Sequence, residues 1–247
     1  MIITSVSNPR IKELKSLFSD KKARCARGVF VAEGKNLVKD IPSGLVEELY
    51  IQKSRYEELC FLEKQFNVEA VVLDDKVFDS VADTVTPSGV IAVVKNRGEK
   101  TVNGETAVIC DGITDAGNMG TIIRTACARG IKTVLCADTV DPFSPKVVRA
   151  AMSGIFKINI IACTLPEVLN LVEGYRIVAL DMGGESIYQY KMKGKTAVAV
   201  GSEAHGISAE IREKSAEILS IPMAEDSVES LNAAVSLAVA LYVLKGE

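Results

Sequence analysis

Three short segments in the second half of the chain combine polar side chains with glycine at spacings that could support chemistry. The first runs from Asn118 to Ala126 and contains Arg124. The second covers residues 201–206, and the third pairs residues 221–223 with 230–232. Each follows a strand-like apolar run and precedes a helix-like one, which is where open α/β sheets hold their ligand sites. The pattern predicts one ligand site at the ends of several strands.

The first segment belongs to a glycine-rich stretch that follows a strand, which invites a dinucleotide-binding interpretation. The fingerprint G-x-G-x-x-G is absent, however, because the spacing is only Gly117-x-x-Gly120. A helix that opens at Asn118 offers free backbone N–H groups and the positive end of its dipole. Arg124, about two turns along, would place a fixed cation nearby. On these residues alone, a helix cap and a surface arginine are the simpler interpretation.

The second and third segments supply close backbone approach and further polar groups. Glycines in the 201–206 segment allow the backbone to approach a flat adenine or a ribose. Glu203 could cap the next segment, or hold Arg124 and a substrate in place. His205, the single histidine, is interpreted as a loop surface residue. In the third segment we expect Ser230 to cap the last helix and Asn232 to face the site.

Alternation of strands and helices predicts an α/β protein with two domains. The second half shows strands at 107–110, 133–137, 157–161, 176–180, 196–200 and 218–221, with helices at 119–129 and 230–244, which indicates a mostly parallel sheet with helices on both faces. The first half predicts a small αβα sheet with strands at 29–32, 46–51, 71–73 and 90–94 and helices at 8–18, 35–39 and 55–66. The expected division is 1–96, a linker at 97–104, and 105–247.

Composition narrows the class of protein. An apolar content of 48% argues against disorder. The six cysteines show no C-x-x-C pairing, so we expect reduced core thiols and no metal site. The chain shows no signal peptide, and its longest apolar stretch, 235–244, is too short to span a bilayer. These features predict a cytoplasmic protein without a membrane partner.

Charge is distributed unevenly along the chain. The net charge is −3, yet residues 1–40 carry +5 and the remaining residues −8. A basic N-terminal region is typical of a surface that meets phosphate, although a solvated helix face is the simpler interpretation of charge alone. The candidate RNA-binding residues are Arg10, Lys12, Lys15, Lys21, Lys22, Arg24, Arg27 and Lys35.

In order and type, the three segments resemble the three motifs of the SpoU/TrmH family of RNA 2′-O-ribose methyltransferases, in the SPOUT superfamily. The resemblance implies a small substrate-binding domain in front of a catalytic domain with a deep trefoil knot, and S-adenosylmethionine as cofactor. It also implies a homodimer formed through the catalytic domain. The catalytic residues it implies are Asn118, Arg124, Glu203, Ser230 and Asn232. The cofactor-binding residues it implies are Leu180, Asp181, Gly201, Ser202, Gly206, Ile221, Met223, Leu231 and Asn232.

One departure and one chemical point qualify the resemblance. The family often continues S-L-N with Val-Ser, whereas this chain has Ala233 and Ala234, which removes a hydroxyl. Arg124 stays protonated in a protein and is a poor base, so we assign it to stabilising the developing alkoxide and gripping the neighbouring phosphate. The proton acceptor stays open between water and a substrate phosphate.

The leading hypothesis is methylation of structured RNA, with ribosomal RNA of the 23S type favoured over transfer RNA because the front domain resembles that of ribosomal-RNA members. A non-catalytic RNA-binding or ribosome-assembly module is the second class, and the intact polar motif residues argue against it. A nucleotide-binding oxidoreductase is third, and lacks its fingerprint.

Overall fold

The computed structural model describes residues 2–224 and 228–246, which form two compact units. The elements of the first 97 residues are β1 (Ile2–Ile3), α1 (Pro9–Ser19), α2 (Lys21–Arg27), β2 (Val29–Glu33), α3 (Lys35–Lys39), β3 (Val46–Gln52), α4 (Tyr56–Leu59), α5 (Phe61–Phe66), β4 (Ala70–Leu73), α6 (Asp75–Asp79) and β5 (Val90–Lys95).

The remaining strands and α-helices are β6 (Thr106–Asp111), α7 (Ala116–Ala128), β7 (Thr133–Ala137), α8 (Pro145–Ala151), β8 (Asn159–Cys163), α9 (Leu165–Leu171), β9 (Arg176–Ser186), β10 (Thr196–Gly201), α10 (Ala209–Lys214), β11 (Glu217–Ser220) and α11 (Ala233–Lys245). Short 3₁₀ turns lie at Lys53–Arg55, Met152–Phe156 and Ile187–Gln189. Within the described ranges, no helix is both long and apolar enough to cross a membrane.

The first unit is built on a five-stranded mixed sheet in the order β1-β4-β3-β5-β2. Strands β1, β4 and β3 run parallel, and β5 runs antiparallel to both β3 and β2. Helix α1 begins at an Asn8 cap, whose side chain accepts from the Arg10 N–H at 2.9 Å. Its buried residues Ile11, Leu14 and Leu17 recur every third position and pack on the sheet with Phe78 of α6. The periodicity of this segment therefore predicted its helix and its buried face.

A segment from the second half of the chain belongs to the first unit. Residues 143–156, which include α8, group with residues 1–97. Phe143 and Phe156 place their rings 5.4 and 6.0 Å from the ring of Phe30 on β2. Arg149 forms an ion pair with Asp83 at 2.6 Å. The first unit is therefore made of two separate stretches of sequence, whereas the expected division at 97–104 makes each domain one continuous stretch.

The second unit holds a six-stranded parallel sheet in the order β11-β9-β10-β6-β7-β8. Helices α9 and α10 bury Val168 and Ile211 against one face of the sheet. Helices α7 and α11 pack on each other, and α11 also packs on β10. The predicted α/β class and parallel sheet are confirmed. Every predicted strand of this half is present, with its ends shifted by at most two residues except at the extended β9.

Two helix starts differ from the predicted ones because other residues cap them. Helix α7 begins three residues before the predicted Met119, because the Asp115 side chain accepts from the Asn118 N–H at 2.8 Å. Helix α11 begins at Ala233, and Asn232 rather than Ser230 is its cap. The expected assignments of Asn118 as the helix opening and Ser230 as the cap are therefore wrong. Gly130 does end α7 as expected, with a left-handed φ of 68°.

Candidate active site

The middle of β9 and the carboxyl ends of β10 and β11 border a cavity of about 760 Å³ in the second unit. Because parallel strands present their carboxyl ends at one edge of a sheet, the segments that follow β10 and β11 meet there, beside residues 180–182 of β9. Cavities of this size hold drug-sized molecules and cofactors. The lining residues are Leu180, Asp181, Met182, Val200, Gly201, Ser202, Glu203, Ala204, His205, Gly206, Leu219, Ser220, Ile221, Pro222, Met223, Ala224, Val228, Glu229, Ser230, Leu231, Ala233 and Ser236.

The 201–206 loop turns so tightly that its first residue must be glycine. A Cβ atom on Gly201 would lie 2.0 Å from the Gly206 carbonyl oxygen, far inside van der Waals contact. The Gly206 N–H donates to the Ser202 carbonyl at 2.8 Å and closes the turn. Gly206 itself has a left-handed φ of 66°. This loop therefore presents backbone and the Glu203 side chain to the cavity, as the sequence predicted for a glycine-bearing segment.

Three motif side chains form one hydrogen-bonded network. The Asn118 amide Nδ2 and the Asn232 amide Nδ2 both donate to Oε1 of Glu203, the latter at 3.0 Å. Asn232 Nδ2 also lies 2.9 Å from Oδ1 of Asn118 and donates to it. A carboxylate is an acceptor with several lone-pair sites, so two amides can share one of its oxygens. The network joins the first turn of α7, the 201–206 loop and the start of α11.

Asn232 serves two purposes at once. Its Oδ1 accepts from the Ala234 and Val235 N–H groups at 3.0 and 3.3 Å, which caps α11. With Oδ1 occupied by the helix, Nδ2 is directed toward Asn118 and Glu203. The cap therefore fixes which end of the amide faces the network. Ser230 lines the cavity but does not cap the helix.

Arg124 lies on α7, six residues beyond Asn118, or about 9 Å along the helix axis. Its side chain is exposed. Within residues 2–224 and 228–246, its guanidinium makes no hydrogen bond or ion pair, and Glu203 instead binds the two asparagines. The structure therefore does not pair Arg124 with Glu203, one of the roles considered for that carboxylate. Arg124 is left as a solvent-facing cation.

One ion pair at the cavity escaped sequence reasoning. Asp181 lines the cavity, and its Oδ2 pairs with Nη2 of Arg212 on α10. Its other oxygen accepts from the Gly183 N–H at 3.2 Å. Arg212 lies 31 residues from Asp181 in sequence, on a short helix with several other charged residues. Nothing in the sequence pattern therefore predicts that the two side chains pair. The pair holds a carboxylate at the cavity wall in a fixed orientation.

The cavity fits the cofactor that the resemblance implies. Eight of the predicted cofactor-binding residues line it, namely Leu180, Asp181, Gly201, Ser202, Gly206, Ile221, Met223 and Leu231. Asn232 belongs instead to the neighbouring network. Apolar side chains such as Leu180, Val200 and Leu219 offer walls for a flat base. The charged side chains among the lining residues are carboxylates, Asp181, Glu203 and Glu229, which suit a sulfonium cation.

The predicted RNA-binding residues of the first unit differ in exposure and in their partners. Arg10, Lys12, Lys21 and Lys22 are exposed, and Lys15 is half-buried. Lys35 forms an ion pair with Glu58. Arg24 is only 5% exposed and donates to the Leu17 and Phe18 carbonyls at 2.7 and 3.1 Å, at the end of α1. Its assignment to RNA binding is therefore wrong, because its guanidinium holds two helices together.

Arg27 is also committed within the first unit. It forms ion pairs with Glu13, Glu47 and Glu48, the first two at 2.9 and 2.6 Å. Burial by itself lowers the pKa of Arg27, but hydrogen bonds to Glu47 and Glu48 and their charges outweigh burial and raise it above its usual value. A cation held by three carboxylates has little charge left for phosphate. The exposed lysines of α1 and α2 are the better candidates.

Comparison with known proteins adds an independent line of support. The SpoU rRNA Methylase family model matches residues 105–242, and an MRM3-like substrate binding domain matches residues 8–92. The 23S rRNA (guanosine(2553)-2′-O)-methyltransferase RlmP of Bacillus subtilis is 30% identical over 250 residues, which cover 99% of each chain.

Solved structures agree with the sequence matches. An AdoMet-bound rRNA methyltransferase from Sinorhizobium meliloti superposes with a TM-score of 0.86 at 26% identity, over 98% of this chain and 96% of the other. The SpoU methyltransferase AviRb from Streptomyces viridochromogenes, in complex with AdoMet, gives 0.84 at 25% identity over 96% of each chain. Because the family model covers more than half of the chain and a relative matches it end to end, this chain belongs to the SpoU rRNA methylase family.

Proposed function

We propose that the protein transfers a methyl group from S-adenosylmethionine to a ribose 2′-hydroxyl of ribosomal RNA, of the 23S type. The observation that carries this is the Asn118–Glu203–Asn232 network beside the cavity. It brings together the three segments whose residues match the family motifs. The relative RlmP acts on 23S rRNA by its name, and two structural relatives bind AdoMet.

In this mechanism the chain's own residues position the reactants. S-adenosylmethionine, when bound, supplies the methyl group as an electrophile. The cavity backbone at Gly201 and Gly206 and the side chain of Asp181, fixed by Arg212, would hold it. The Glu203 network orients the Asn118 amide, whose second N–H is available to a ribose or phosphate oxygen, while Asn232 donates both of its N–H groups within the network and so positions Asn118 and Glu203. No metal ion is needed, because the reaction requires alignment and a route for one proton.

Arg124 is the charge stabiliser in this proposal. Its guanidinium stays protonated, so it does not take the hydroxyl proton. It is free to grip the phosphate next to the target ribose and to stabilise negative charge on the reacting oxygen. The proton leaves to water or to a phosphate of the RNA. Ser230, on the cavity wall, offers a hydroxyl to the same reactants.

The two parts of the chain divide the work in this proposal. Residues 1–96, with a linker at 97–104, capture RNA through Arg10 and the exposed lysines of α1 and α2. Residues 105–247 bind cofactor and carry out the chemistry in the cytoplasm, where ribosomal RNA is handled. The match of an MRM3-like substrate binding domain to residues 8–92 supports this division.

We also propose a homodimer through α11. Six of the 13 residues of this helix are buried in their own chain, namely Ala233, Ala234, Leu237, Ala240, Leu241 and Leu244. Val235 and Tyr242 remain 48% and 56% exposed, and a two-fold contact would cover them on both subunits. Light scattering at micromolar concentration tests this, and a mass of 26.5 kDa, that of one chain, would contradict it.

A deep trefoil knot near the C-terminus completes the proposed fold. It is supported by β11, which pairs with β9 although β10 lies between them in sequence. The last segment then returns from β11 to place α11 against β10. Stretching a chain held by its two ends in an optical trap tests the knot. An unfolded length below about 3.5 Å per residue is expected, whereas full extension would contradict it.

The activity itself is tested with radiolabelled S-adenosylmethionine and RNA from a strain that lacks the gene. We expect label in 23S rRNA, at a ribose 2′-oxygen that reverse transcription at low nucleotide concentration can map. Glu173→Gln, an exposed change that follows α9 and lies outside the three motif segments, is the matched control and should keep the activity. Label confined to transfer RNA would favour the alternative substrate, and cofactor binding without any label would favour a non-catalytic module.

A further inference from the structure

The first unit carries a loop, residues 84–88, whose tip is completely exposed. Val85 is 99% exposed, the highest value among the large apolar side chains of the described residues. A single exposed valine is unremarkable by itself. This one lies on a loop whose two ends are both anchored by specific hydrogen bonds, so its exposure is built into the fold.

One anchor is a buried carboxylate. Glu33, at the end of β2, is 5% exposed, and its oxygens accept from the Asp83 N–H at 2.9 Å and from the Thr84 hydroxyl. Burying a carboxylate is strongly unfavourable unless hydrogen bonds replace its water. Here those bonds come from the residue before the loop and from its first residue. A buried carboxyl group therefore holds the loop beside Val85, the residue that is 99% exposed.

The other anchor joins the loop to β3 and α3. The Lys35 N–H donates to the Ser88 hydroxyl at 2.7 Å, and the Gln52 N–H donates to the Gly89 carbonyl at 2.9 Å. The stem of Arg55 lies so close to Gly89 that a Cβ there would be 2.6 Å from the Arg55 Cγ. The loop is thus held between a lysine of α3 and an arginine that follows β3.

The flanking cations outnumber the carboxylate they share. Lys35 and Arg55 both pair with Glu58, the latter at 2.9 Å, so one negative charge faces two positive ones. Lys53, two residues before Arg55, is exposed, and within the described residues it forms no ion pair. Asp83 is matched by Arg149, whereas Asp75 and Asp79 accept hydrogen bonds from neutral groups, the Ser54 N–H and the Gln52 amide, and so add two carboxylates to the same region. The loop is bordered by cations able to meet phosphate.

We propose that the 84–88 loop is a second RNA contact of the first unit, in which Val85 packs on the face of an unstacked base. Lys35, Lys53 and Arg55 would bind the neighbouring phosphates. Proteins recognise unpaired RNA by combining cations for the backbone with side chains, most often aromatic, that pack on an exposed base; here Val85 offers a smaller apolar surface for the base. This contact is separate from the lysines of α1 and α2, and it rests on the proposed function because it takes RNA as the ligand.

Two substitutions in the full chain test the proposal against an unmodified 23S rRNA transcript. Val85→Ser should raise Kd by about three- to tenfold, the effect of losing part of one base contact. Lys53→Gln should reduce the slope of log Kd against log salt concentration by about one, which is the contribution of one phosphate contact. Phe61→Ser and Lys64→Gln, exposed residues of α5, are matched controls and should change neither quantity. Val85 is fully exposed, so its substitution should leave the melting temperature and S-adenosylmethionine affinity unchanged.

The outcomes separate this inference from the proposed activity. If the wild-type protein binds and methylates the transcript while Val85→Ser binds equally well, the loop is not an RNA contact. If Val85→Ser binds naked RNA normally but fails on ribosomal precursor particles, the loop contacts a protein and the inference is wrong. RNA binding that depends on Val85 without any methylation would support the loop and contradict the proposed enzyme.

Discussion

The amide of Asn232 donates to the side-chain oxygen of Asn118 at 2.9 Å, although 114 residues separate the two in the chain. Both amides also donate to Glu203. Three helix and loop starts are thus linked through side chains rather than through the sheet. Because each member bonds to both of the others, removing one leaves only a single hydrogen bond of the network, so substitutions here should act on more than one motif.

Replacing Arg124 tests the mechanism most directly. Arg124→Ala should leave folding and S-adenosylmethionine affinity nearly unchanged, since its side chain is exposed and does not line the cavity. Turnover should fall by about two to three orders of magnitude, the usual effect of losing one preorganised charge stabiliser. Arg124→Lys should recover little, because an ammonium lacks the planar fork. Single-turnover kinetics measures the rate and calorimetry the cofactor affinity. Near-normal methylation by Arg124→Ala would show that Arg124 is an ordinary surface residue with no part in catalysis.

Asn232→Ala should impair stability, cofactor binding and rate together. It removes the α11 cap, at a cost of about 1 kcal/mol in unfolding free energy. It also removes the two hydrogen bonds that Nδ2 donates to Asn118 and Glu203. Asn232→Asp is the informative partner variant, because it keeps an oxygen for the cap but places a carboxylate against Glu203. We expect Asn232→Asp to retain most of the melting temperature and still lose the rate. Equal melting temperatures and rates for the wild type and both variants would show that the network contributes to neither stability nor catalysis.

Gly201→Ala should disrupt the tight turn of the 201–206 loop. Its new methyl group would lie 2.0 Å from a backbone oxygen that cannot move without opening the turn. We expect a loss of about 1–3 kcal/mol in unfolding free energy and a larger loss of S-adenosylmethionine affinity. Gly183→Ala is the matched control, because a Cβ there would approach nothing closer than 4.0 Å. Denaturant titration and calorimetry distinguish the two, and similar behaviour of both variants would contradict the close approach.

Charge reversal at Lys21 and Lys22 tests RNA capture by the first unit. Both side chains are exposed at the start of α2. The double variant Lys21→Glu/Lys22→Glu should weaken binding of 23S rRNA and flatten its salt dependence, because fewer counterions are released. Cofactor affinity should not change. The substitutions are made in the full chain, because a fragment that starts at Gly104 would keep Phe143 and Phe156 but lose Phe30, on which they pack.

Thiol reactivity should follow burial. Burial, with the neighbouring Cys136, raises the pKa of Cys163 to about 12. A hydrogen bond with Cys110, together with burial, raises the pKa of Cys136 well above its usual value. At pH 8 about one part in ten thousand of Cys163 is thiolate, so its modification should be slow and should accelerate about tenfold per pH unit. Exposed Cys25 should react first with an aromatic disulfide reagent, and prompt labelling of Cys163 at pH 8 would contradict this order.

The fold could be predicted from local pattern, whereas the site needed the structure. Helix α1 and the parallel strands follow from periodicity and apolar runs, because each is dictated by which side chains it buries. β1, two residues long, leaves no pattern, and its pairing with β4 depends on long-range contacts. Arg24 reads as one more cation in a basic region, and only tertiary packing shows that it is buried. The Asp181–Arg212 pair and the switch of cap from Ser230 to Asn232 are likewise set by distant partners.

The discontinuity of the first unit has a consequence for how the protein is made. As the chain leaves the ribosome, the strands β1 to β5 emerge well before residues 143–156. Until that later segment is synthesised, Phe30 lacks Phe143 and Phe156, and the apolar side of β2 stays open to water. Exposed sheet surface of this kind is prone to misassociation during synthesis. A pause between residues 97 and 156 would therefore prolong a vulnerable nascent state, even though the finished sheet is fully covered at this face.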